Sequence, residues 1–243
     1  MKRYVLLVAL VVSLASAGAQ TPERNVLSSY RVLPMPGKDA QLRKALLEHA
    51  TKYHSGTWKW RVFQVLSGPD EGAYMINEGV NSWTDLEGRK DISDEHQRDY
   101  ERTILPLSEK TLPSLFLTYQ KDFSTDSAAG PMKKALLRHY FLKPGKGGRL
   151  APHLTLWKKA YEKVGMKVGV WGSFFSGPPQ IVVSFRLANG WADLEKPWGK
   201  LSREAYDEIA GAGAFVRYTE DLDSYVDHSV EEMIEFLPDV SPK

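Results

Sequence analysis

The stretch Leu33–Tyr53, LPMPGKDAQLRKALLEHATKY, returns as Phe141–Tyr161, FLKPGKGGRLAPHLTLWKKAY. Pro36-Gly37-Lys38 aligns with Pro144-Gly145-Lys146 at an offset of 144 − 36 = 108, and Leu42, Leu46 and Tyr53 align with Leu150, Leu154 and Tyr161. A Pro-Gly turn followed by apolar residues at helical spacing reads as a strand end leading into a helix. The flanks repeat too. VLSGP (Val65–Pro69) matches FFSGP (Phe174–Pro178) at 176 − 67 = 109, and NSWTDLE (Asn81–Glu87) matches NGWADLE (Asn189–Glu195) at 108 again. Matches in the same order at a nearly constant offset mark the duplication of a unit about half the chain long.

Each copy reads β-α-β-β-α-β. The first strand spans 28–33 and 135–142, and the following helix carries Leu42, Ala45, Leu46 and His49 on one face. Residues 58–66 and 166–175 read as a second strand, closed by Ser-Gly-Pro, and 72–80 and 180–188 return as a third. A second helix is expected over 95–109 and 203–210, with a further helical piece to 226, before last strands near 115–121 and 233–237. This is the split βαβ, ferredoxin-like unit of an α+β fold, and it predicts two tandem repeats, 20–127 and 128–243. In the repeated joint, the acidic residues stand where a helix N-terminus favours negative charge, and Trp83 and Trp191 are expected to pack back on the sheet as staples.

Met1-Lys2-Arg3, the apolar run Tyr4–Leu14 and the small-x-small patterns Ala15-Ser16-Ala17 and Ala17-Gly18-Ala19 read as a secretory signal peptide over 1–19. Export to a bacterial periplasm or beyond is therefore expected, without a stable membrane anchor after cleavage. The chain has no cysteine, which excludes a lipid-modified Cys and a disulfide framework. Cleavage after Ala19 leaves 243 − 19 = 224 residues and, by removing Lys2 and Arg3, takes the formal charge from +2 to 0. With Lys and Arg interspersed among acids, the chain lacks a nucleic-acid footprint. Its 42% hydrophobic and 11% aromatic content suffices for a packed core.

The segments LLRHYFLKPGKGGRL (Leu136–Leu150) and SSYRVLPMPGKDAQL (Ser28–Leu42) resemble the first strand and turn of dimeric α/β-barrel proteins, the superfamily of NIPSNAP, antibiotic-biosynthesis-monooxygenase and chlorite-dismutase domains. The resemblance implies two ferredoxin-like units with antiparallel sheets packed face to face as a barrel, here within one chain acting as monomer or homodimer. It supports fold more than activity, since its motif is a turn and a pattern. A small, partly apolar ligand in the barrel is the favoured reading. An oxygenase, haem-dependent or isomerase-type enzyme and an interaction scaffold are the alternatives. Haem chemistry of the chlorite-dismutase kind would need an axial His near an Arg, for which His139 and Arg186 are the available pair, although neither falls in that family's motif.

Strand alternation selects the candidate pocket residues. In copy two, Ile181, Val183, Phe185 and Leu187 form a helix-facing set, so Gln180, Val182, Ser184 and Arg186 face inward, as do Leu137, His139 and Phe141. At the 108 offset the copy-one counterparts are Tyr74, Ile76 and Glu78, with Arg31 and Leu33; Trp171, Ser173, Arg61 and Phe63 come from the second strands. Arg186 and Glu78, at 186 − 78 = 108, read either as an ion pair between the sheets or as pocket charges. No HExxH, P-loop, GxSxG or His/Asp/Glu cluster at metal spacing occurs. Outside His139, His49 and His153 lie on first helices, and His54, His96 and His228 read as surface or helix-end residues.

Overall fold

The computed structural model describes residues 23–242 except 91, 129, 131 and 174; the expected signal segment lies outside the described residues. Among the described residues eight strands occur: β1 (Val26–Pro34), β2 (Trp60–Val65), β3 (Tyr74–Asn81), β4 (Ser108–Tyr119), β5 (Lys134–Leu142), β6 (Val168–Ser173), β7 (Gln180–Leu187) and β8 (Val226–Phe236). The helices are α1 (Asp39–Tyr53), α2 (Trp83–Glu87), α3 (Asp94–Thr103), α4 (Ala151–Val164), α5 (Trp198–Ala210) and α6 (Ala214–Leu222). The strands close into one antiparallel ring in the order β4-β1-β3-β2-β8-β5-β7-β6. Each copy thus contributes its strands in ferredoxin-like order, and β2–β8 and β6–β4 are the seams. Closure leaves no sheet edge to aggregate. The duplicated α+β barrel is therefore realised within a single chain.

Alternation in a closed sheet separates the apolar residues into an inside and an outside. Val32, Leu42, Leu46, Val62, Tyr74 and Ile76 pack the copy-one sheet against α1, whereas Tyr140, Leu154, Trp157, Ile181, Val183 and Tyr206 do so in copy two. A third cluster, with Phe63, Met75, Leu137, Trp171, Val182 and Ile234, fills part of the barrel interior.

Three expectations are corrected. The second helix of copy one ends at Thr103 rather than running to 109; Pro106 lies in a short 3₁₀ turn, and the chain is already in β4 at Ser108. β4 and β8 begin seven residues earlier than expected, at 108 and 226 instead of 115 and 233. Their leading halves are mostly polar and exposed, so no buried face imprints alternation on the sequence. The third concerns the repeated joint. Trp83 and Trp191 are 44% and 53% exposed and only lean on the sheet, Trp83 against Phe116 of β4 at 5.7 Å and Trp191 under the Lys134 ammonium of β5 at 5.0 Å. The recurring Asp carries the structure: Asp85 accepts from the Ser82 backbone N–H at 2.8 Å in a capping box, and Asp193 accepts from the Asn189 N–H at 2.9 Å.

Candidate functional site: the barrel cavity

The barrel encloses a cavity of about 490 Å³ lined largely by apolar side chains, among them Leu27, Met75, Leu117, Trp171, Val182 and Ile234. Set among them are three arginines and a histidine from different strands, Arg31 (β1), Arg61 (β2), Arg186 (β7) and His139 (β5), together with Ser184, Asp70 and Glu232. The expected inward placement of Arg31, Arg61, His139, Trp171, Ser184 and Arg186 is what the barrel contains.

Glu232 on β8 organises one side. Its carboxylate, 1% exposed, receives Arg31 through both Nη atoms, the Nη1–Oε2 contact being 2.8 Å, and His139 Nε2 at 3.0 Å. Burial alone would raise this carboxyl, but the His139 and Arg31 interactions outweigh it and hold it below its ordinary value. Arg31 also reaches Asp70 Oδ2 at 2.7 Å, and Gln180 fixes the other ring nitrogen of His139 at 2.9 Å. Arg31 and His139 are repeat equivalents, 139 − 31 = 108, and converge on one carboxylate that the sequence reading did not select.

The two remaining arginines differ sharply. Arg186 is paired through its two terminal nitrogens, Nη1 donating to Asp126 at 2.7 Å and Nη2 to the Ser127 carbonyl at 2.5 Å, while its buried Nε finds no partner among the described residues. The loop can wrap it because residue 130 is glycine; a Cβ there would stand 1.8 Å from Arg186 Nη1. Arg61, by contrast, forms no hydrogen bond or ion pair with any described residue. Its guanidinium lies 5.3 Å from the Phe236 ring and 5.7 Å from Phe63, and burial, with the like charge of Arg186, lowers its pKa.

Tyr74 and Glu78 do not face the cavity. They lie on the helix side of β3, where the Tyr74 hydroxyl donates to Asp39 at 2.8 Å and Glu78 pairs with Arg89 and with His54 Nδ1 at 3.1 Å. The Arg186–Glu78 pair is therefore absent. The reason is register. Arg31 pairs with Met75 and His139 with Val182, so the strands are related by 182 − 75 = 107, and a shift of one residue exchanges the faces. Met75, Asn77 and Gly79 line the cavity instead. The pairing of β1 with β3 shifts between Val26 and Ser28, beside Gly79 at φ +109°, a bulge conformation open to glycine.

The pair proposed for haem does not suit it. His139 is the one histidine among the described residues lining the cavity, both its ring nitrogens are engaged, and Arg186 is held by Asp126. Sequence reasoning also missed a cluster on the other face of copy one: His49, His54 and His96 bring one ring nitrogen each within 4.8 Å of one another. Burial lowers the His49 imidazole to about 4 against an opposing Asp99 hydrogen bond. The 49–54 spacing matches no helical ligand motif, and His96 arrives from another helix.

No protein-family model matches the chain, and no curated protein matches it. Solved structures do. A candidate monooxygenase from Fusobacterium nucleatum subsp. nucleatum aligns with a TM-score of 0.55 at 13% identity over 87% of this chain and 92% of that one. A mutant chlorite dismutase from Candidatus Nitrospira defluvii gives 0.54 at 8% over 88% and 92%, and an anthrone oxidase-like protein 0.52 at 12% over 88% and 92%. At such identities the likeness is one of fold. It supports the same fold, two ferredoxin-like units closing one α+β barrel, here within one polypeptide.

Proposed function

We propose that the barrel cavity binds a small, largely apolar molecule bearing one anionic group, which Arg61 meets. The observation that carries this reading is a half-buried guanidinium facing an apolar cavity, with no counter-charge among the described residues. An unpaired desolvated charge is costly, and an incoming carboxylate or phosphate offsets that cost while the aromatic and aliphatic walls take the remainder. Arg186 and Arg31 are already paired, so Arg61 supplies the selectivity.

The test compares decanoate with decanol, and 2-naphthoate with 2-naphthylmethanol, by calorimetry on the full chain, together with native mass spectrometry for a co-purifying mass. The carboxylates are expected to bind more tightly by about 1.5–3 kcal/mol, the value of a charge-assisted hydrogen bond. Arg61→Leu should erase the difference. Equal binding of acid and alcohol by the parent chain would overturn the assignment.

A second reading is an enzyme of the oxygenase kind, with His139 as acid or base toward the bound molecule. It is supported by the cavity position of His139 against the Glu232 carboxylate and by fold neighbours named for monooxygenase and anthrone oxidase-like proteins. In that reading Glu232 and Gln180 fix the orientation of the ring toward the bound molecule. His139→Gln should then abolish turnover of a bound phenolic substrate while leaving its affinity within about threefold. Export is proposed from Met1–Ala19 and is checked by N-terminal sequencing of secreted protein; a chain still beginning at Met1 would refute it.

A further inference from the structure

We infer that His49, His54 and His96 form a metal site for a late first-row divalent cation, zinc foremost, on the helix face of the copy-one sheet, opposite the barrel cavity. His49 projects from α1, His54 caps that helix, and His96 comes from α3. The three Nε2 atoms meet: His96 Nε2 lies 3.0 Å from His49 Nε2 and 3.1 Å from His54 Nε2. Zinc bound tetrahedrally at 2.0–2.1 Å would set its nitrogens about 3.3 Å apart.

Proton accounting distinguishes this cluster from an ordinary hydrogen-bond network. His49 Nδ1 faces Asp99 Oδ2 at 2.8 Å, and His54 Nδ1 faces both the Trp58 carbonyl and Glu78 Oε2 at 3.1 Å. Each partner is an acceptor, so Nδ1 carries the proton in both rings, and each neutral ring presents a lone pair at Nε2. Both lone pairs point at His96 Nε2, which can donate one proton at most. One contact then closes as a hydrogen bond and the other sets two lone pairs face to face. A cation at the meeting point satisfies all three nitrogens.

The surroundings match what metal-binding imidazoles use. Asp99 and Glu78 behind His49 and His54 are the carboxylate partners that fix tautomer and ring orientation. Glu78 is itself anchored by Arg89 and by the Trp60 indole at 3.2 Å. Three neutral imidazoles favour zinc, copper, nickel or cobalt over magnesium or calcium. With three protein ligands, one tetrahedral position is left for water. The site belongs to copy one alone, since Trp157 occupies the position of His49 in copy two, 157 − 49 = 108.

The experiment uses the full chain without a histidine tag, stripped by a chelator and titrated with ZnCl2 by calorimetry and with CoCl2 by visible absorption. The expected result is one equivalent of zinc, the strong visible bands of four-coordinate cobalt, and a zinc-dependent rise in Tm. His96→Ala should raise the zinc Kd by at least about 100-fold and abolish the Tm rise, whereas His153→Ala, in copy two, should change neither. Asp99→Asn, a positioning change, should weaken binding about 10–100-fold at unchanged stoichiometry. His96→Ala remains informative even if His49→Ala fails to fold, because His96 lies on the outer helix α3. A stripped chain that takes up neither metal, or a His96→Ala chain that binds zinc as the parent does, would overturn the site and leave a protonated histidine network.

Discussion

Arg31, Arg61 and Arg186 share one cavity but are held differently, and that predicts three responses to loss of charge. Arg31→Leu leaves the Glu232 carboxylate buried with its main counter-charge gone and should cost about 3–5 kcal/mol in urea unfolding. Arg61→Leu removes a cation with no ion-pair partner among the described residues while keeping the contact with Phe236, and its stability should stay within about 0.5 kcal/mol of the parent or rise. Arg186→Leu and Glu78→Gln touch no common partner, so their losses should add within about 0.5 kcal/mol; a coupling term above that would restore the ion pair across the barrel. Gly130→Ala should destabilise by about 1–3 kcal/mol, since the Arg186 guanidinium and the Asp126 carboxylate it pairs with must give way to the new Cβ. Glu232 also sets a pH dependence. Its folded pKa lies below the ordinary 4.5, so its stabilisation is complete above that value and fades as pH falls through the folded one. The stability gap between the parent chain and Glu232→Gln should therefore be full at pH 7 and narrow only as pH falls below the ordinary 4.5.

At the scale of elements, the duplicated Asn-x-Trp-x-Asp-Leu-Glu joint persists because the strand must hand over to a helical turn in both copies. The acid two residues after Trp closes that turn by accepting backbone N–H groups. Asp85→Ala and Asp193→Ala should each cost about 1 kcal/mol, the range of a lost cap. Trp191→Ala, at an exposed position, should cost less than either; thermal unfolding of the three variants gives the order. Strands three and seven carry a different lesson. Local similarity aligned Glu78 with Arg186, yet the ladder aligns Met75 with Val182, and only hydrogen-bonded register decides which face a strand residue occupies.

For the whole molecule, the seams are the narrow places. β4 meets β6 through Thr118↔Gly172 and Tyr119↔Trp171, and β2 meets β8 through three pairs, Phe63↔Phe236 to Val65↔Ile234. Amide exchange should be faster at these positions than along β5, which is paired along its length with β7 and β8. Residues 20–127 expressed alone would expose Leu27, Phe63, Val65 and Met75, which pack the interior. Light scattering should find that half self-associated; a well-behaved monomer would argue against one shared core.

The sequence by itself determined the duplication, the order of strands and helices in each copy, and the inner face of β5, β6 and β7, because turn chemistry and alternation are local and strong there. It placed Arg31, Arg61, Trp171, His139, Ser184 and Arg186 on the interior for the same reason. What only the tertiary structure decided are relations between distant segments: the seams that close the ring, the Glu232 carboxylate that joins Arg31 to His139, the loop that claims Arg186, and the absence of a counter-charge for Arg61 among the described residues. The histidine cluster belongs to that group. His54 and His96 are separated by 42 residues and carry no spacing signal, and they converge because α1 and α3 pack on the same face of one sheet, a proximity that packing creates and no local pattern encodes.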